Sequence, residues 1–483
     1  MKITAYTDIG GSRPVSLGST EHRALREMLR CLSPETGPVL AASTYIGSGQ
    51  AAGGGYSGHA EIYDIDGLLR DLYGQPSMEP GVNDALFGGG KGFGLVNTML
   101  STIGEAVERA VAALVAGAPD IPGRRVMCTY EELRKRELDA LDPTQLGLFS
   151  DAQYDSPSFL YARFFPDTVV EWVEGTRLRS GEPVFVPAQL VDMVHIYDSN
   201  EEIIGYPVSG GLSCHTSWMA AVYHGLTEVI ERDAVNVSWY TDAPPRHLVL
   251  DDPEVRRLLG GFVDRLELDH SEGFMLLHPS GVCSAPTFSA VGLQDWLVRR
   301  QYCAGGGCDV VAESSLVKAA AEYGQTRSTL GIAITAPRSA VGRSVQDMFD
   351  WEVDRPLAEM SLFFQAIGYY GLDEHRHLLD HYLSGAPITW EEICASTPQF
   401  AESSSTDERL AHLLGELAVN DIDPIVLNYS DRSWNHLAIA KVYVPELSTP
   451  FLQSRPMLGH PRLRPLRDSV VAPDGRIYPL PYP

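Results

Sequence analysis

The sequence predicts a mixed fold of helices and strands, α/β or α+β in class, and three observations carry that reading. Stretches with apolar residues at helical spacing, near 95–116, 217–235, 312–331, 356–370 and 405–418, are interleaved with strand-like runs such as Glu182 to Val186 and Ala440 to Val444. Apolar residues make up 44% and charged residues 21%, values that exclude a disordered, collagenous or fibrous chain. A length of 483 residues allows a large core, in one elaborated domain or in two or three ordinary ones.

Taken from the N-terminus, MKITAYTDIGGS has no uninterrupted apolar core before Asp8, and the small-apolar run Ala110 to Ala118 is far too short to span a bilayer. A cytoplasmic protein without membrane attachment is expected. The 63 acidic side chains outnumber 37 Lys and Arg, a net charge of −26, so nucleic acid and anionic lipid are poor candidate partners. Seven scattered cysteines predict reduced thiols, and the Cys303/Cys308 spacing matches neither a zinc knuckle nor a CxxC redox site. Residues 46–59, IGSGQAAGGGYSGH, carry neither helix nor strand period and read as a mobile loop. They belong to an N-terminal region, 1–80, of unassigned role, ahead of a main domain at 81–483. The last fifty residues are rich in proline. Within the tail 470–483, Pro479-Leu480-Pro481-Tyr482-Pro483 is expected to be extended and stiff, close to polyproline II.

The chemistry starts with three helices. In the first, the apolar stripe from Val96 to Leu114 leaves Ser101, Glu105 and Glu108 on the opposite face, within an arc of roughly 60°. In the second, Met219, Val222, Tyr223, Leu226, Val229 and Ile230 form the stripe, with His224, Thr227, Glu228 and Glu231 opposite. Carboxylates at i and i+3 repel each other in an isolated helix, so a pair on each of two helices hints at a shared cation. The third helix places Glu322 and Gln325 together, with Arg327 two residues on. Were these faces to converge, they would make an oxygen-rich site suited to Mg²⁺ and a nucleotide, with Arg327 and Lys91 on phosphate oxygens. Periodicity alone leaves solvated polar faces open as the alternative.

Other motifs do not withstand inspection. Gly88 to Gly94 has the look of a phosphate loop, but Gly92 stands where the Mg²⁺-binding Ser or Thr is required. Gly211-Leu212-Ser213-Cys214-His215 lacks the closing glycine of a nucleophile elbow. His377 and His381 are one helical turn apart, but Leu378 replaces the general-base glutamate of a zincin, which leaves a surface helix.

Three segments together resemble the YcaO family of ATP-dependent enzymes that modify peptide backbones, over roughly residues 85–483. GKGFGLVNTMLSTIGEAVERA is similar to the family's opening block, in which a GKG turn precedes SxxxExxER, here Ser101, Glu105, Glu108 and Arg109. GGLSCHTSWMAAVYHGLTEVIERDA resembles the central block that ends in GLxExIERDA. AAAEYGQTR resembles the ExxQxR block, at Glu322, Gln325 and Arg327. The resemblance implies an α+β fold of YcaO type, with helices around a nucleotide cleft and an extended C-terminal tail. It further implies ATP and Mg²⁺ as cofactors, Glu105, Glu108, Glu228 and Glu231 as metal or nucleotide ligands, and Ser101, Ser213, Glu322, Gln325, Arg327 and Lys91 around ATP. Gly210 and Ala220 depart from the pattern, which has an Asn-Gly pair and an acidic residue there.

A chain-final PxPxP is typical of the azoline-forming members. The resemblance thus implies ATP-dependent cyclodehydration of Cys, Ser or Thr in a ribosomal precursor peptide. The side chain attacks the preceding carbonyl, and the resulting oxygen takes the γ-phosphate and leaves as phosphate. The Pro483 carboxylate is the expected base. A separate ThiF-like protein is the expected leader-binding partner, a flavin dehydrogenase would serve any later oxidation to azole, and homodimerisation is allowed. A thioamide- or macroamidine-forming relative, or a non-catalytic scaffold presenting the precursor, are the rival readings.

Overall fold

The computed structural model of the chain describes residues 3–5, 13–15, 19–33, 37–46, 55–74, 87–117, 124–157, 159–263, 272–296, 299–360, 363–400, 404–430, 437–472 and 475–482. Among these residues the strands form four sheets. β1 (Ile3–Ala5) and β2 (Arg13–Val15) make a small ribbon. β3 (Val39–Ile46), β4 (Tyr56–Ile62) and β5 (Phe87–Gly92) form an antiparallel sheet in that order. A six-stranded sheet contains β6 (Arg125–Cys128), β7 (Val170–Arg177), β8 (Pro183–Pro187), β9 (Leu212–His215), β15 (Ile425–Asn428) and β16 (Ala438–Tyr443). Its order is β6-β7-β15-β16-β9, and β8 pairs with β7. The fourth sheet contains β10 (Arg246–Leu248), β11 (Glu272–His278), β12 (Thr287–Trp296), β13 (Arg299–Cys308) and β14 (Pro387–Ile388), in the order β13-β12-β11-β10-β14. Only the short β10–β14 pairing is parallel among its ladders. Helices and antiparallel sheets in this arrangement are an α+β architecture.

Three long helices position the site. α1 (Leu95–Gly117) lies across the three-stranded sheet. It approaches so closely that a Cβ on Gly90 would stand 1.9 Å from Thr102 Oγ1, which is why β5 is a run of glycines. Val96, Ile103, Val107, Ala110 and Val111 of its apolar stripe are buried, each larger side chain contributing roughly 1.5–3 kcal/mol. α2 (Trp218–Tyr240) packs on both larger sheets and is buried around most of its circumference. α3 (Ala312–Thr335) covers β12 and β13.

The shorter helices include α4 (Ala340–Phe349), α5 (Gln365–Tyr370) and α6 (Thr406–Val419). α6 starts where the sequence places it, because Ser405 and Glu408 close a reciprocal capping box. The helix expected over 356–370 is broken. Pro356 opens a single 3₁₀ turn at Leu357–Glu359, and Met360 then turns extended and buries its side chain before α5 begins. The loop expected at 46–59 is likewise corrected at its C-terminal end, where Tyr56 starts β4, while 47–54 lie outside the described residues. β4 pairs with β5, so strand pairing crosses the boundary expected at residue 80. The His377 segment is a 3₁₀ helix, Asp373–Leu379, with His377 exposed. No helix among the described residues is long and apolar enough to cross a membrane.

A buried charge network clamps the six-stranded sheet. Arg125 on β6 donates to both oxygens of Asp192, at 2.6 and 2.9 Å, and to Glu171 on β7 at 2.7 Å. Tyr429, just after β15, donates to Asp192 at 2.6 Å, and His195 lies between Asp192 and Glu201. Burial opposes ionisation of Asp192, but Arg125 and His195 outweigh it and hold its carboxyl down at about 2. Replacing one partner of a buried pair strands the other charge. Arg125→Leu is therefore expected to destabilise the fold by about 3 kcal/mol or more, read as a lower urea midpoint with an unchanged m-value.

Candidate functional site

α1, α2 and α3 converge on one cleft. Its deeper part, a cavity of about 620 Å³, is lined by Ser101, Glu105 and Glu108 from α1, His224, Glu228 and Arg232 from α2, and Glu322, Gln325 and Thr329 from α3. Lys91 at the end of β5 joins them, and Leu100, Val345, Phe349, Phe363 and Phe364 supply an apolar wall. An adjoining groove shares Lys91, Ser101, His224, Glu228, Arg232 and Glu322 and adds Glu231, Thr227 and the backbone of Gly306 and Gly307.

Each of five carboxylates is held through one oxygen. Glu108 Oε2 accepts from the Cys214 N–H at 2.9 Å, and Glu228 Oε2 from the Gly211 N–H at 3.1 Å, so the backbone at and just before β9 anchors one acid from each of two helices. Glu322 Oε2 takes the Gly306 N–H at 3.0 Å and the Lys91 ammonium at 2.9 Å. Glu105 Oε1 pairs with Arg109 at 2.8 Å. Glu231 Oε1 accepts from the Tyr482 hydroxyl at 2.7 Å. Among the described residues the second oxygen of each has no protein donor.

Burial and crowding govern the electrostatics. Burial pushes Glu108 well above the usual carboxylate range, and the charges of Glu105 and Glu228 add to the shift. Burial raises Glu228 too, and Glu231 is raised to about 7 by burial and by Glu322. Burial opposes ionisation of Glu322, but Lys91 and Arg232 more than offset it and its pKa falls. For Arg232 burial acts against the cation, while Tyr482, Glu231, Glu228 and Glu322 hold it above its ordinary value. Behind the acids, Lys441 on β16 is buried and depressed to about 8 by burial, despite Glu228, Asp192 and Glu108 nearby. His215 and His224 stack with ring centres 5.6 Å apart, and burial keeps both neutral, His224 at about 3.

Two sequence expectations are corrected here. Arg327 does not line the cleft: two residues beyond Gln325 is a rotation of about 200° on a helix, and Arg327 lies beside Cys303 of β13 instead. Ser213 on β9 is buried and is not among the residues lining the cavity, unlike its neighbours Leu212, Cys214 and His215. Pro483 lies outside the described residues. Of the family-pattern departures, Gly210 is explained by packing, since a Cβ there would stand 2.1 Å from Pro450 Cγ. Ala220 is buried in the first turn of α2, where an acidic side chain would be desolvated.

Sequence reasoning missed Arg232, Tyr482, Lys441 and His59. Arg232 follows Glu228 by four residues, a helical ion-pair spacing that was available as a signal. Tyr482 sits between two prolines and Lys441 in an apolar strand, where neither has a local signature. His59 on β4, which also lines the cavity, belongs to the glycine-rich stretch read as loop.

The donor set tests well against a divalent cation. Clustered carboxylates, each with one oxygen free of protein donors, are the ligands that Mg²⁺ takes alongside substrate phosphates. Glu105, Glu108 and Glu228 in the cavity and Glu231 in the adjoining groove are the carboxylates available to such an ion.

Comparison with known proteins agrees with this chemistry. Residues 89–448 match the family model described as "YcaO cyclodehydratase, ATP-ad Mg2+-binding". The chain belongs to the YcaO family, whose cofactors are ATP and Mg²⁺. Its fold is similar to a heterocyclase solved in complex with substrate and cofactor (TM-score 0.65, 18% identity, 90% of this chain and 55% of that one). It is also similar to YcaO from Methanopyrus kandleri bound with AMPPCP and Mg²⁺ (TM-score 0.56, 19% identity, 89% and 91%). A chain of the E. coli microcin synthetase McbBCD complex with pro-MccB17 bound matches with a TM-score of 0.53 at 12% identity, over 92% of this chain and 96% of that one. An uncharacterized protein in the tfuA 3' region of Rhizobium leguminosarum bv. trifolii is 30% identical over 150 residues, which is 30% of each chain. The match thus spans under a third of that relative and about half of the heterocyclase.

Neutralising one crowded acid has opposite effects on stability and on binding. Glu108→Gln keeps an acceptor for the Cys214 N–H while removing a desolvated charge, so the protein without nucleotide is expected to unfold at an equal or higher temperature. The same variant is expected to lose roughly tenfold or more in affinity for Mg²⁺–AMPPCP, measured by calorimetric titration.

Proposed function

We propose that this protein is an ATP-dependent cyclodehydratase that converts Cys, Ser or Thr residues of a ribosomally made precursor peptide to thiazoline or oxazoline. The observation that most supports the reading is the meeting of two features: the acidic set from three helices, and a proline-rich tail whose buried Tyr482 donates to one of those acids, Glu231.

Residues of this chain would act as follows. Glu105, Glu108, Glu228 and Glu231 hold the divalent ion, and Ser101, Gln325 and Glu322 stand on the adjoining walls. When bound, MgATP supplies a phosphoryl group that turns an amide oxygen into a leaving group. Lys91 and Arg232 present their cations to the same cleft and balance charge on phosphate oxygens. The buried Tyr482 covers one oxygen of Glu231 and keeps bulk water from it.

A separate leader-binding protein of ThiF-like type is part of the proposal. The likeness to a chain of the McbBCD complex with pro-MccB17 bound supports a catalytic chain that works with partner proteins on a peptide.

The test is mass spectrometry and phosphate release with a Cys/Ser/Thr-rich precursor, in the presence of its leader-binding protein. Loss of one water per modified residue, with stoichiometric ATP hydrolysis, is the expected result. Replacement of oxygen by sulfur would reassign the enzyme to thioamide formation, a water loss linking the N-terminal amine to an amide to macroamidine formation, and precursor binding without ATP hydrolysis to a scaffold.

A further inference from the structure

We propose that Tyr482 is a positioning residue for the nucleotide site, fixing Glu231 through its hydroxyl and Arg232 through its ring, so that the C-terminal strap sets the geometry of the metal-binding acid. The inference rests on the assignment of Glu231 above.

Two consecutive residues of α2 converge on this one side chain. The Tyr482 hydroxyl donates to Glu231 Oε1 at 2.7 Å, and the Arg232 guanidinium carbon lies 4.8 Å from the centre of the Tyr482 ring. Tyr482 is wholly buried, so no water competes for either contact. With Oε1 occupied, Glu231 rotates less freely and its Oε2 is the oxygen left for a cation.

The receptor for the phenol is built into β13. A Cβ on Gly306 would stand 1.7 Å from the Tyr482 hydroxyl and 2.7 Å from Cζ, so any side chain there would evict the ring. The N–H of the same Gly306 anchors Glu322, the acid that pairs with Lys91. The phenol therefore occupies the junction of two acids, two cations and a strand.

The strap reaches this junction in fixed register. Proline offers no N–H, so its carbonyls and the few remaining amides must be met by side chains. Tyr302 donates to Pro481 O at 2.7 Å, Tyr370 donates to Pro479 O, and Trp239 Nε1 donates to Tyr478 O at 3.4 Å. Gln453 accepts from the Leu480 N–H at 2.7 Å and donates to Tyr482 O at 3.4 Å. A phenylalanine would fill the same space and keep the stack on Arg232. What the hydroxyl adds is control of Glu231.

The experiment is a double-mutant cycle on the full chain, with Mg²⁺–AMPPCP affinity measured by calorimetry for wild type, Tyr482→Phe, Glu231→Gln and the double variant. Tyr482→Phe is expected to weaken binding roughly tenfold in the wild-type background and by less than about twofold beside Glu231→Gln, with a thermal midpoint close to wild type. An unchanged affinity in Tyr482→Phe, or an equal loss in both backgrounds, overturns the positioning role and leaves the site assignment standing. Wild-type affinity in Glu231→Gln overturns the assignment of Glu231, and this inference with it.

Discussion

The concentration of negative charge in one cleft is the constraint on which the remaining architecture depends. Two unit charges about 4 Å apart in surroundings of effective dielectric about 20 repel by about 4 kcal/mol. Five carboxylates around one cleft and its adjoining groove are tolerable without a cation only because each is given a donor. Two take N–H groups from the backbone around β9, a third takes one from β13 and a lysine, a fourth an arginine one helical turn away, and the fifth a phenol. The residual strain shows in the raised pKa values of Glu108, Glu228 and Glu231, and it is the strain that a divalent ion would relieve.

That arrangement explains why the functional helix α2 is so deeply enclosed. It must place one acid against the backbone leading into β9 and another against the C-terminal strap, so it lies between two sheets and has few solvated positions. Its buried Asp233 receives a bidentate contact from Arg462, at 2.6 to 2.9 Å. The rotation of the helix is thus fixed one residue beyond Arg232. Glycine serves the same end elsewhere. The glycines of β5 let α1 settle onto its sheet and bring Glu105 and Glu108 level with Lys91.

Much of the fold class, the long helices and the acidic faces was legible in the sequence, for a physical reason: helical periodicity reports which residues share a face. It correctly grouped Ser101 with Glu105 and Glu108, and Glu322 with Gln325. It was silent on convergence, which needs the sheets. Where residues were carried over from block patterns instead of phase, the outcome was mixed. Arg327 and Ser213 stand in the right letters but are not among the residues that line the cavity or the groove. The start of β4 was illegible because a strand covered closely by a helix needs small residues, as at Gly58 against Thr102, and small residues look like loop. Lys441 was hidden because a single cation in a buried strand has no neighbours in sequence to announce it.

The tail shows how a segment without helix or sheet can still be specified. Three prolines reduce the entropy lost on ordering, but they also remove backbone donors, so no sheet edge can hold the segment along its length. Its fixation falls to long polar side chains that reach in from separate elements: Trp239 from α2, Tyr302 from β13, Tyr370 from α5 and Gln453 from the segment after β16. Because these anchors come from elements that also frame the acidic cleft, displacement of any of them is felt at Tyr482. The strap and the acid site therefore form one mechanical unit, and the residue that joins them sits between prolines, where no regular pattern in the sequence would have placed a functional side chain.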